Sequence, residues 1–228
     1  MSKYEIMIED GNDADEGITA EELTDLAFGM FTIFAGQKIS ESGRQLYSEI
    51  EKESILPELK TLTEEFSELY PELAEPLLMF GDAEDILLFY RSGEGIVPTR
   101  TSHMFWIQQR GPDAESDACS REEAGKWLLF LPPAEADDAW IKIRNATAAG
   151  ELGIGAKVST SHDNSDSRDD RKVIYVFTKN WDDEADVMRV REVLKTLGFT
   201  DRIGYKRNVD TYAGEYREKG KRVTYYSV

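Results

Sequence analysis

The spacing of apolar residues changes from a helical to an alternating pattern about midway along this 228-residue chain. Up to residue 90, apolar residues recur every three or four positions, which predicts amphipathic helices. From residue 104 onward, short segments rich in β-branched and aromatic residues predict strands. Because helices fill the first half and hairpins with separate helices follow in the second, the sequence favours an α+β protein.

Residues 1–100 are expected to form a helical region. Thr19 and Glu22 have the spacing of a capping box, in which both side chains bond free backbone N–H groups at a helix start, and Gly36 marks the predicted end. Further helices are predicted from Ser42 to about Ser54, after Pro57 and from Asp82, with Pro71 and Pro76 as breaks. The Gly- and Pro-containing stretch Arg91–Arg100 predicts a linker, and the alternating stretch Lys3–Ile8 predicts a strand.

Residues 101–228 are expected to form a second domain. Strands are predicted at Met104–Gln109, Lys126–Leu131, Ala156–Ser161, Lys172–Thr178, Arg202–Arg207 and Arg222–Tyr226. Helices are predicted at Glu135–Ala148 and Asp183–Leu197. A polar, turn-rich loop at 162–171 joins two of the strands, which indicates a hairpin. We therefore expect a mainly antiparallel sheet with helices on one face.

The charge is unevenly divided between the two halves. The whole chain has a net charge of −18, yet residues 1–100 hold 23 acidic against 7 basic side chains and residues 101–228 hold 22 against 20. Residues 187–228 are basic, with 5 against 10. Total charge argues against general binding to DNA, RNA or anionic membranes. The division nevertheless leaves an anionic ligand open for the second domain, and a basic protein partner for the first.

Other features narrow the class of protein. No apolar run approaches the roughly 20 residues that span a bilayer, and the first residues lack the apolar core of a signal peptide. Cys119 is the single cysteine of the sequence, so the chain cannot form an internal disulfide. Proteins without disulfides are typical of a reducing compartment, and we therefore expect a cytoplasmic protein. Two histidines, His103 and His162, and one cysteine are too few to provide the four ligands of a structural zinc site. We expect no metal or cofactor.

Six short motifs follow one another along the second half of the chain: Gly125–Leu128, Asp137–Trp140, Gly155–Val158, Lys172–Ile174, Ile203–Tyr205 and Asp210–Thr211. Their order is that of the cap-binding translation initiation factor 4E family, and residues 103–228 resemble that family. The detail is more similar to a branch of that fold, the basophilic-leukaemia-expressed protein family, which has archaeal members and includes proteins labelled as phosphothreonine lyase domain proteins. The resemblance implies a curved, mainly antiparallel sheet with helices on one face.

The resemblance does not carry over the cap-binding site. The initiation factor holds its methylated guanine between two tryptophans on two loops, whereas the segment Arg110–Gly125 contains no tryptophan. Of the phosphate-binding pair in that family, Lys172 matches the lysine, but Ser161 stands near the position of the arginine. Base stacking contributes about 1–3 kcal/mol per base, so cap binding by the known mode is not expected.

The lyase label implies β-elimination of phosphate from phosphothreonine, which needs a lysine base, an acid and cations for the phosphate. The resemblance places Lys157 at the base, Arg168 at a phosphate ligand and Tyr205-Lys206 at a Tyr-Arg pair. The acid histidine is replaced by Leu128, which cannot donate a proton. A lyase with catalytic Lys157 therefore remains an alternative only if His103 or His162 supplies the acid from elsewhere.

The leading hypothesis is a non-catalytic module that binds a phosphate-bearing ligand: an RNA end, a nucleotide or a phosphopeptide. Trp181 and Tyr205 are expected to offer stacking faces, whereas Trp106, Trp127 and Trp140 are expected in the core. A further alternative is an interaction protein whose acidic half docks on a basic surface such as that of a ribosome. The candidate ligand-binding residues are Lys126, Lys157, Arg168, Arg171, Lys172, Trp181, Tyr205, Lys206 and Arg207.

Overall fold

A computed structural model describes residues 18–112, 114–115, 117–162, 170–212 and 224–228. The predicted strand Lys3–Ile8 and the candidate ligand residue Arg168 lie outside these ranges. The described helices are α1 (Ala20–Glu41), α2 (Leu46–Glu49), α3 (Leu56–Leu69), α4 (Pro71–Phe80), α5 (Ala83–Ser92), α6 (Pro133–Ala148), α7 (Glu184–Thr196) and α8 (Asn208–Tyr212). The described strands are β1 (Trp106–Arg110), β2 (Gly125–Leu131), β3 (Gly155–Ser159), β4 (Lys172–Thr178), β5 (Gly204–Arg207) and β6 (Tyr226–Ser227).

The helix start predicted at Thr19 is confirmed. The Thr19 hydroxyl accepts a hydrogen bond from the Glu22 N–H at 3.2 Å, and the Glu22 carboxylate accepts one from the Thr19 N–H at 2.8 Å. The predicted end at Gly36 is wrong, because α1 continues to Glu41. A glycine costs a helix only about 1 kcal/mol, and the fully buried Ile39 in the following turn holds the helix against its neighbours.

The break expected at Pro71 is confirmed, because α3 ends at Leu69 and α4 begins at Pro71. The break expected at Pro76 is wrong, because this residue lies inside α4. Pro71 occupies the first turn, where its missing N–H would have no helical partner. Pro76 lies inside the helix and is buried, so packing offsets the lost backbone hydrogen bond. The helix predicted from Ser42 to Ser54 is reduced to α2 and a 3-10 turn at Glu53–Ile55.

The helical region has its own apolar core, which is rich in aromatic rings. Phe28 stacks on Phe80 with ring centroids 4.1 Å apart, and Phe31 meets Phe66 edge to face at 5.5 Å. This cluster extends from residue 27 in α1 to Met104, just before β1. The core of α1 and α3–α5 is therefore built from side chains of the first half of the chain.

The described strands form one antiparallel sheet in the order β1-β3-β4-β2-β5-β6. The hairpin predicted across residues 162–171 is confirmed, since β3 and β4 pair in antiparallel fashion. Side chains alternate between the two faces of each strand. Trp127 of β2, with Ile174 and Val176 of β4, shares a core with Trp140 of α6 and Val187 of α7.

Both long helices of this half cover the same face of the sheet. The Trp127 indole N–H donates to the carbonyl of Val187 at 3.1 Å, which fixes α7 against the centre of β2. The α+β fold with an antiparallel sheet and helices on one face is therefore confirmed. We call the opposite face, which includes Lys126 of β2, Lys157 of β3 and Lys206 of β5, the lysine face.

The stretch predicted as a linker, Arg91–Arg100, is packed between the two cores. The carboxylate of buried Glu94 accepts hydrogen bonds from the Ser102 and His103 N–H groups at 3.0–3.1 Å. Thr99 donates from its N–H and its hydroxyl to the carboxylate of Asp137 in α6, at 3.0 and 2.5 Å.

Among the described residues, no helix is long and apolar enough to cross a bilayer.

Candidate functional site

The lysine face combines basic and aromatic side chains from neighbouring strands. Residues two positions apart in a strand share a face, so Tyr175 and Phe177 of β4 lie opposite the core residues Ile174 and Val176. Their neighbours on the same face include three lysines and a tryptophan. These residues are Lys126, Lys157, Lys206 and Trp106.

Two of these lysines are direct partners across a strand pair. Lys126 of β2 stands opposite Lys206 of β5 in the antiparallel register, and both side chains are buried, with 9% and 5% exposure. Like charges in directly opposed positions repel each other, and buried ammonium groups need compensating contacts. The pairing therefore concentrates positive potential at this point of the sheet.

The ring of Tyr175 lies between two of the ammonium groups. Its centroid is 5.2 Å from Lys126 Nζ and 5.4 Å from Lys157 Nζ. The Phe177 ring is 5.7 Å from Lys126 Nζ. Aromatic faces attract cations at these distances, so the rings hold the lysine side chains in place along the sheet.

Trp106 of β1 completes this arrangement. Its ring lies 4.0 Å beneath Lys157 Nζ and 5.2 Å from the ring of Tyr175, centroid to centroid. Trp106, Tyr175 and Lys157 are all partly exposed. The expectation that Trp106 belongs to the core is therefore not what the structure shows, because β1 turns Ile107 and not Trp106 towards the helices.

The loop between β1 and β2 covers one end of the lysine face. A methyl group added to Gly155 would lie 2.8 Å from Cys119 Sγ, which places the thiol over β3 at this end. Burial raises the pKa of Cys119 to about 11, and the nearby charges of Arg110 and Lys157 oppose that change. The thiol is therefore neutral at physiological pH and is not an activated nucleophile.

Helix α8 anchors the covering loop. The Asn208 side-chain amide donates to the carbonyls of Cys119 and Arg121 at 2.8 and 2.9 Å, and the Asn208 N–H donates to the carbonyl of Ala124 at 2.9 Å. As a result, the lysine face is closed at the end where β2 begins. It is open at the other end, where Phe130 is 53% exposed.

Tyr205 lies on the other side of the sheet from these residues. Its ring is fully buried beside Trp127, and its hydroxyl is 2.6 Å from the hydroxyl of Thr178. A methyl group on Gly125 would lie 2.1 Å from the Tyr205 hydroxyl oxygen, so the ring has no freedom to turn outward. The structure therefore corrects the stacking role expected for Tyr205, because the alternation of β5 directs it into the core.

Trp181 and Arg207 form a separate cluster at the end of β5, whose last residue is Arg207. The Arg207 guanidinium is 4.8 Å from the Trp181 ring and 4.6 Å from the Tyr225 ring. It also donates to both carboxylate oxygens of Asp210, at 2.8 and 2.6 Å. Arg207 is thus engaged within the fold, and the structure does not bring this pair to Lys126 and Lys157.

The remaining basic candidates lie near the ends of strands. Lys172 Nζ donates to the carbonyl of Thr160 at 2.6 Å, where β3 ends. Arg171 is exposed, with its guanidinium 5.4 Å from the Phe130 ring at the open end of the lysine face. Of the described candidates, the structure brings Lys126, Lys157 and Lys206 together on one face.

The residues on which the lyase alternative depends are dispersed. Leu128 and Lys157 both pair with Tyr175 in the sheet register, so the position expected for the acid lies on the lysine face but holds an apolar side chain. His103 Nδ1 is 2.9 Å from the Asp25 carboxylate in the helical region. His162 stacks on the Phe105 ring at 4.0 Å. Both histidines are therefore engaged in contacts outside the lysine face.

Trp106, Tyr175 and Phe177 are site residues that the sequence reasoning missed. Tyr175 and Phe177 alternate with Ile174 and Val176, so their common face could have been recognised from the strand pattern. The role of Trp106 depends on its pairing with Ser159. That register joins positions 53 residues apart and has no local signal in the sequence.

Structures of initiation factors are among the solved structures that this chain matches. A schistosome eIF4E complexed with m7GpppA and 4E-BP matches with 15% identity and a TM-score of 0.38, covering 48% of this chain and 61% of that one. C. elegans eIF4E-3 with the 4E-binding protein Mextli and a cap analog matches with 16% identity and a TM-score of 0.43, covering 64% and 80%. The chain thus spans about three fifths of the schistosome protein.

A family model also matches the sheet domain. Residues 117–214 match the model described as "Basophilic leukemia-expressed protein Bles03". The matched segment contains β2 to β5 and both covering helices, together with Lys126, Lys157 and Lys206. The resemblance of the second half of this chain to the Bles03 family is therefore confirmed over residues 117–214.

Proposed function

We propose that the lysine face binds a phosphate-bearing ligand without catalysing its conversion. The observation that supports this proposal is the placement of Lys126 and Lys157 on either side of the Tyr175 ring, with Trp106 beside them. Ammonium groups attract phosphate oxygens, and partly exposed rings stack on bases. One surface thus offers both kinds of contact to the same molecule.

Among an RNA end, a nucleotide and a phosphopeptide, the aromatic rings favour the first two. A base has a flat π-face that stacks on Trp106 or Tyr175, whereas most peptide side chains do not. In this arrangement the base lies over the open part of the lysine face. The phosphate group then points along the sheet towards Lys126 and the closed end.

Binding would change the role of Lys157. Its ammonium group lies 4.0 Å from the Trp106 ring, so a base that stacks on this ring displaces it. The displaced ammonium group remains next to the incoming ligand and can pair with a phosphate oxygen. A cation–π contact contributes about 0.5–1 kcal/mol at an exposed site, and a charge-assisted hydrogen bond contributes about 1.5–3 kcal/mol, so the exchange is favourable.

Fluorescence anisotropy with a short RNA provides the test. The same labelled oligonucleotide is prepared with a 5′-phosphate and with a 5′-hydroxyl, and each is titrated at about 50 mM and about 200 mM salt. We expect tighter binding of the phosphorylated form and weaker binding at the higher salt. Absence of binding at low salt, or equal affinity for both forms, would reject recognition of a phosphorylated RNA end.

A variant pair assigns the binding to the lysine face. Lys157→Gln removes one ammonium group beside Trp106, whereas Lys142→Gln removes an exposed lysine from α6 on the opposite side of the sheet. We expect the first substitution to weaken binding and the second to leave it unchanged. An equal loss in both variants would indicate non-specific attraction to the protein's positive charges. A phosphopeptide titrated in parallel tests the remaining ligand class.

A further inference from the structure

A second cavity lies between the helical region and the edge strand β1, away from the lysine face. The centres of water molecules can reach about 80 Å³ of it, whereas a single water needs about 10–15 Å³ by the same measure. Its lining comes from both halves of the chain, with α1 and α2 on one side and β1 and α6 on the other. Cavities at such junctions are frequent sites for small ligands.

The wall of this cavity has an apolar part and a polar part. Ile33, Leu46 and Ile96 contribute aliphatic surface, and Gln37 and Gln45 contribute amide groups. The apolar part favours a ligand with a short hydrocarbon segment, since burying such a segment removes it from water. The amide groups supply both donors and acceptors at the polar part.

Arg144 of α6 places a positive charge in this cavity. Its guanidinium lies 3.5 Å from the centroid of the Tyr47 ring, which belongs to α2. Within the described residues no carboxylate lies within 4 Å of it, and its side-chain hydrogen-bond partners are Asn145, with two 3.3 Å contacts, and Tyr47. Burial lowers the pKa of Arg144, and Tyr47 opposes that change.

The absence of a carboxylate at Arg144 is informative in this chain. Acidic side chains outnumber basic ones by 45 to 27, and Arg44 and Arg91 of the helical region have carboxylate partners. A desolvated guanidinium is normally paired with an anion. Its planar fork fits the two oxygens of a carboxylate.

We propose that this cavity binds a small aliphatic monocarboxylate, with its carboxylate on Arg144 and its hydrocarbon part against Ile33 and Leu46. A single guanidinium compensates one negative charge, which favours a carboxylate over a doubly charged phosphate. The second arginine at this wall, Arg110, donates to the carbonyl of Ala114 in the β1–β2 loop and is directed to that loop. The site is distinct from the lysine face in its residues and in its ligand.

Thermal unfolding of the full chain tests the proposal. Propionate and butyrate are added at constant ionic strength, with chloride and inorganic phosphate as comparison anions. A ligand that binds the folded state alone raises the Tm in proportion to the logarithm of its concentration once it exceeds Kd. We expect this increase with the two carboxylates and none with chloride, whereas an increase with phosphate is expected from the lysine face and should diminish in Lys157→Gln. No increase with either carboxylate overturns the proposal.

Arg144→Gln is expected to abolish the increase, and Lys142→Gln on the exposed side of α6 is expected to preserve it. Because Arg144 also contacts Tyr47, its replacement can lower the Tm without ligand, so the comparison is between samples of one variant with and without carboxylate. An undiminished increase in Arg144→Gln would overturn the assignment of the ligand to this guanidinium.

Gly36 allows the cavity to be filled while Arg144 is kept. Gly36 lines the cavity, and a Cβ atom added there meets no other atom within 4 Å. Gly36→Leu is therefore expected to fold, to occupy the cavity and to remove the carboxylate-dependent increase in Tm. Gly36→Ala is the matched control and is expected to keep at least part of the increase. An unchanged response in Gly36→Leu would place the ligand elsewhere and contradict the proposal.

Discussion

Lys126 stands directly opposite Lys206 in the pairing of β2 with β5, and both ammonium groups lie on the face of the sheet that the helices do not cover. In most sheets, opposed positions combine opposite charges or apolar groups, because like charges destabilise the pair. The cost of this pairing falls when an anion binds nearby. The pairing thus places two positive charges side by side on the face to which the phosphate-binding proposal refers.

The contribution of Lys126 is measurable in the salt dependence of RNA binding. We expect Lys126→Gln to weaken binding of the 5′-phosphorylated RNA about tenfold, because a charge-assisted hydrogen bond contributes about 1.5 kcal/mol or more. The slope of log K against log salt should decrease by about 0.7, the value for one phosphate contact in a single strand. Anisotropy titrations supply both quantities, and an unchanged slope in this variant, as in Lys142→Gln, would contradict the prediction.

Trp106 is expected to supply stacking energy. Trp106→Ala should weaken binding of the RNA by about 1–3 kcal/mol, which is the range for a base stacked on an aromatic side chain, and Trp106→Phe should retain part of it. Phe105→Ala is the matched control, because Phe105 is the exposed neighbour that stacks on His162. If Phe105→Ala weakens binding as much as Trp106→Ala, the base does not stack on Trp106.

Tyr205 is expected to act on stability alone. Tyr205→Phe removes the hydroxyl that contacts Thr178 at 2.6 Å, and loss of one buried hydrogen bond lowers the free energy of unfolding by about 1 kcal/mol. Urea denaturation measures this change, and the RNA affinity of the folded variant should equal that of the wild type. A loss of RNA affinity without a change in the free energy of unfolding would show that Tyr205 takes part in binding.

Cys119 is expected to react slowly with alkylating reagents. Burial raises its pKa to about 11 from an ordinary value of 9.0, which lowers the thiolate fraction at pH 8 about 100-fold. Iodoacetamide should therefore modify the folded protein at least about 100-fold more slowly than the urea-unfolded protein. Because the neutral thiol is favoured in the folded state, its stabilising contribution is complete below pH 9 and declines between pH 9 and 11. Equal rates in the two states would show that the loop does not enclose the thiol.

The lyase alternative predicts a product that we do not expect. A phosphothreonine peptide incubated with the protein should remain intact, since Leu128 provides no proton for the leaving phosphate and both described histidines are held in other contacts. Mass spectrometry distinguishes the phosphopeptide from its dehydrated product. Formation of that product, together with its loss in Lys157→Gln, would establish the enzyme and replace the binding proposal.

The strands were predictable where the pattern is strong and local. The limits of β4, Lys172–Thr178, agree with the prediction, because seven consecutive residues favour a strand and polar turn residues precede them. The end of α1 was not predictable from Gly36, since packing of later residues decides it. Local propensity thus located the elements, and tertiary contacts determined where some of them stop.

The candidate site was predictable only in part. The lysines at 126, 157 and 206 could be selected because each alternates with a core residue, such as Trp127 or Tyr205. The same alternation excludes Tyr205 from their face, yet this becomes evident only once the helices are known to cover one side. The contact of Lys157 with Trp106 needs the register of β1, which is set by pairing across a long separation.

The two hydrogen bonds from Thr99 to the Asp137 carboxylate have a consequence for the rate of binding. Because they join the acidic helices to α6, the negative charges of these helices keep a fixed distance from the lysine face, and their field extends about 10 Å at 0.1 M salt. With a net charge of −18, the protein is expected to repel an anionic ligand during its approach, whereas the lysines attract it at short range. Added salt is then expected to quicken association while it weakens the final complex, so that the acidic helices act as a kinetic barrier to the site that the lysines stabilise.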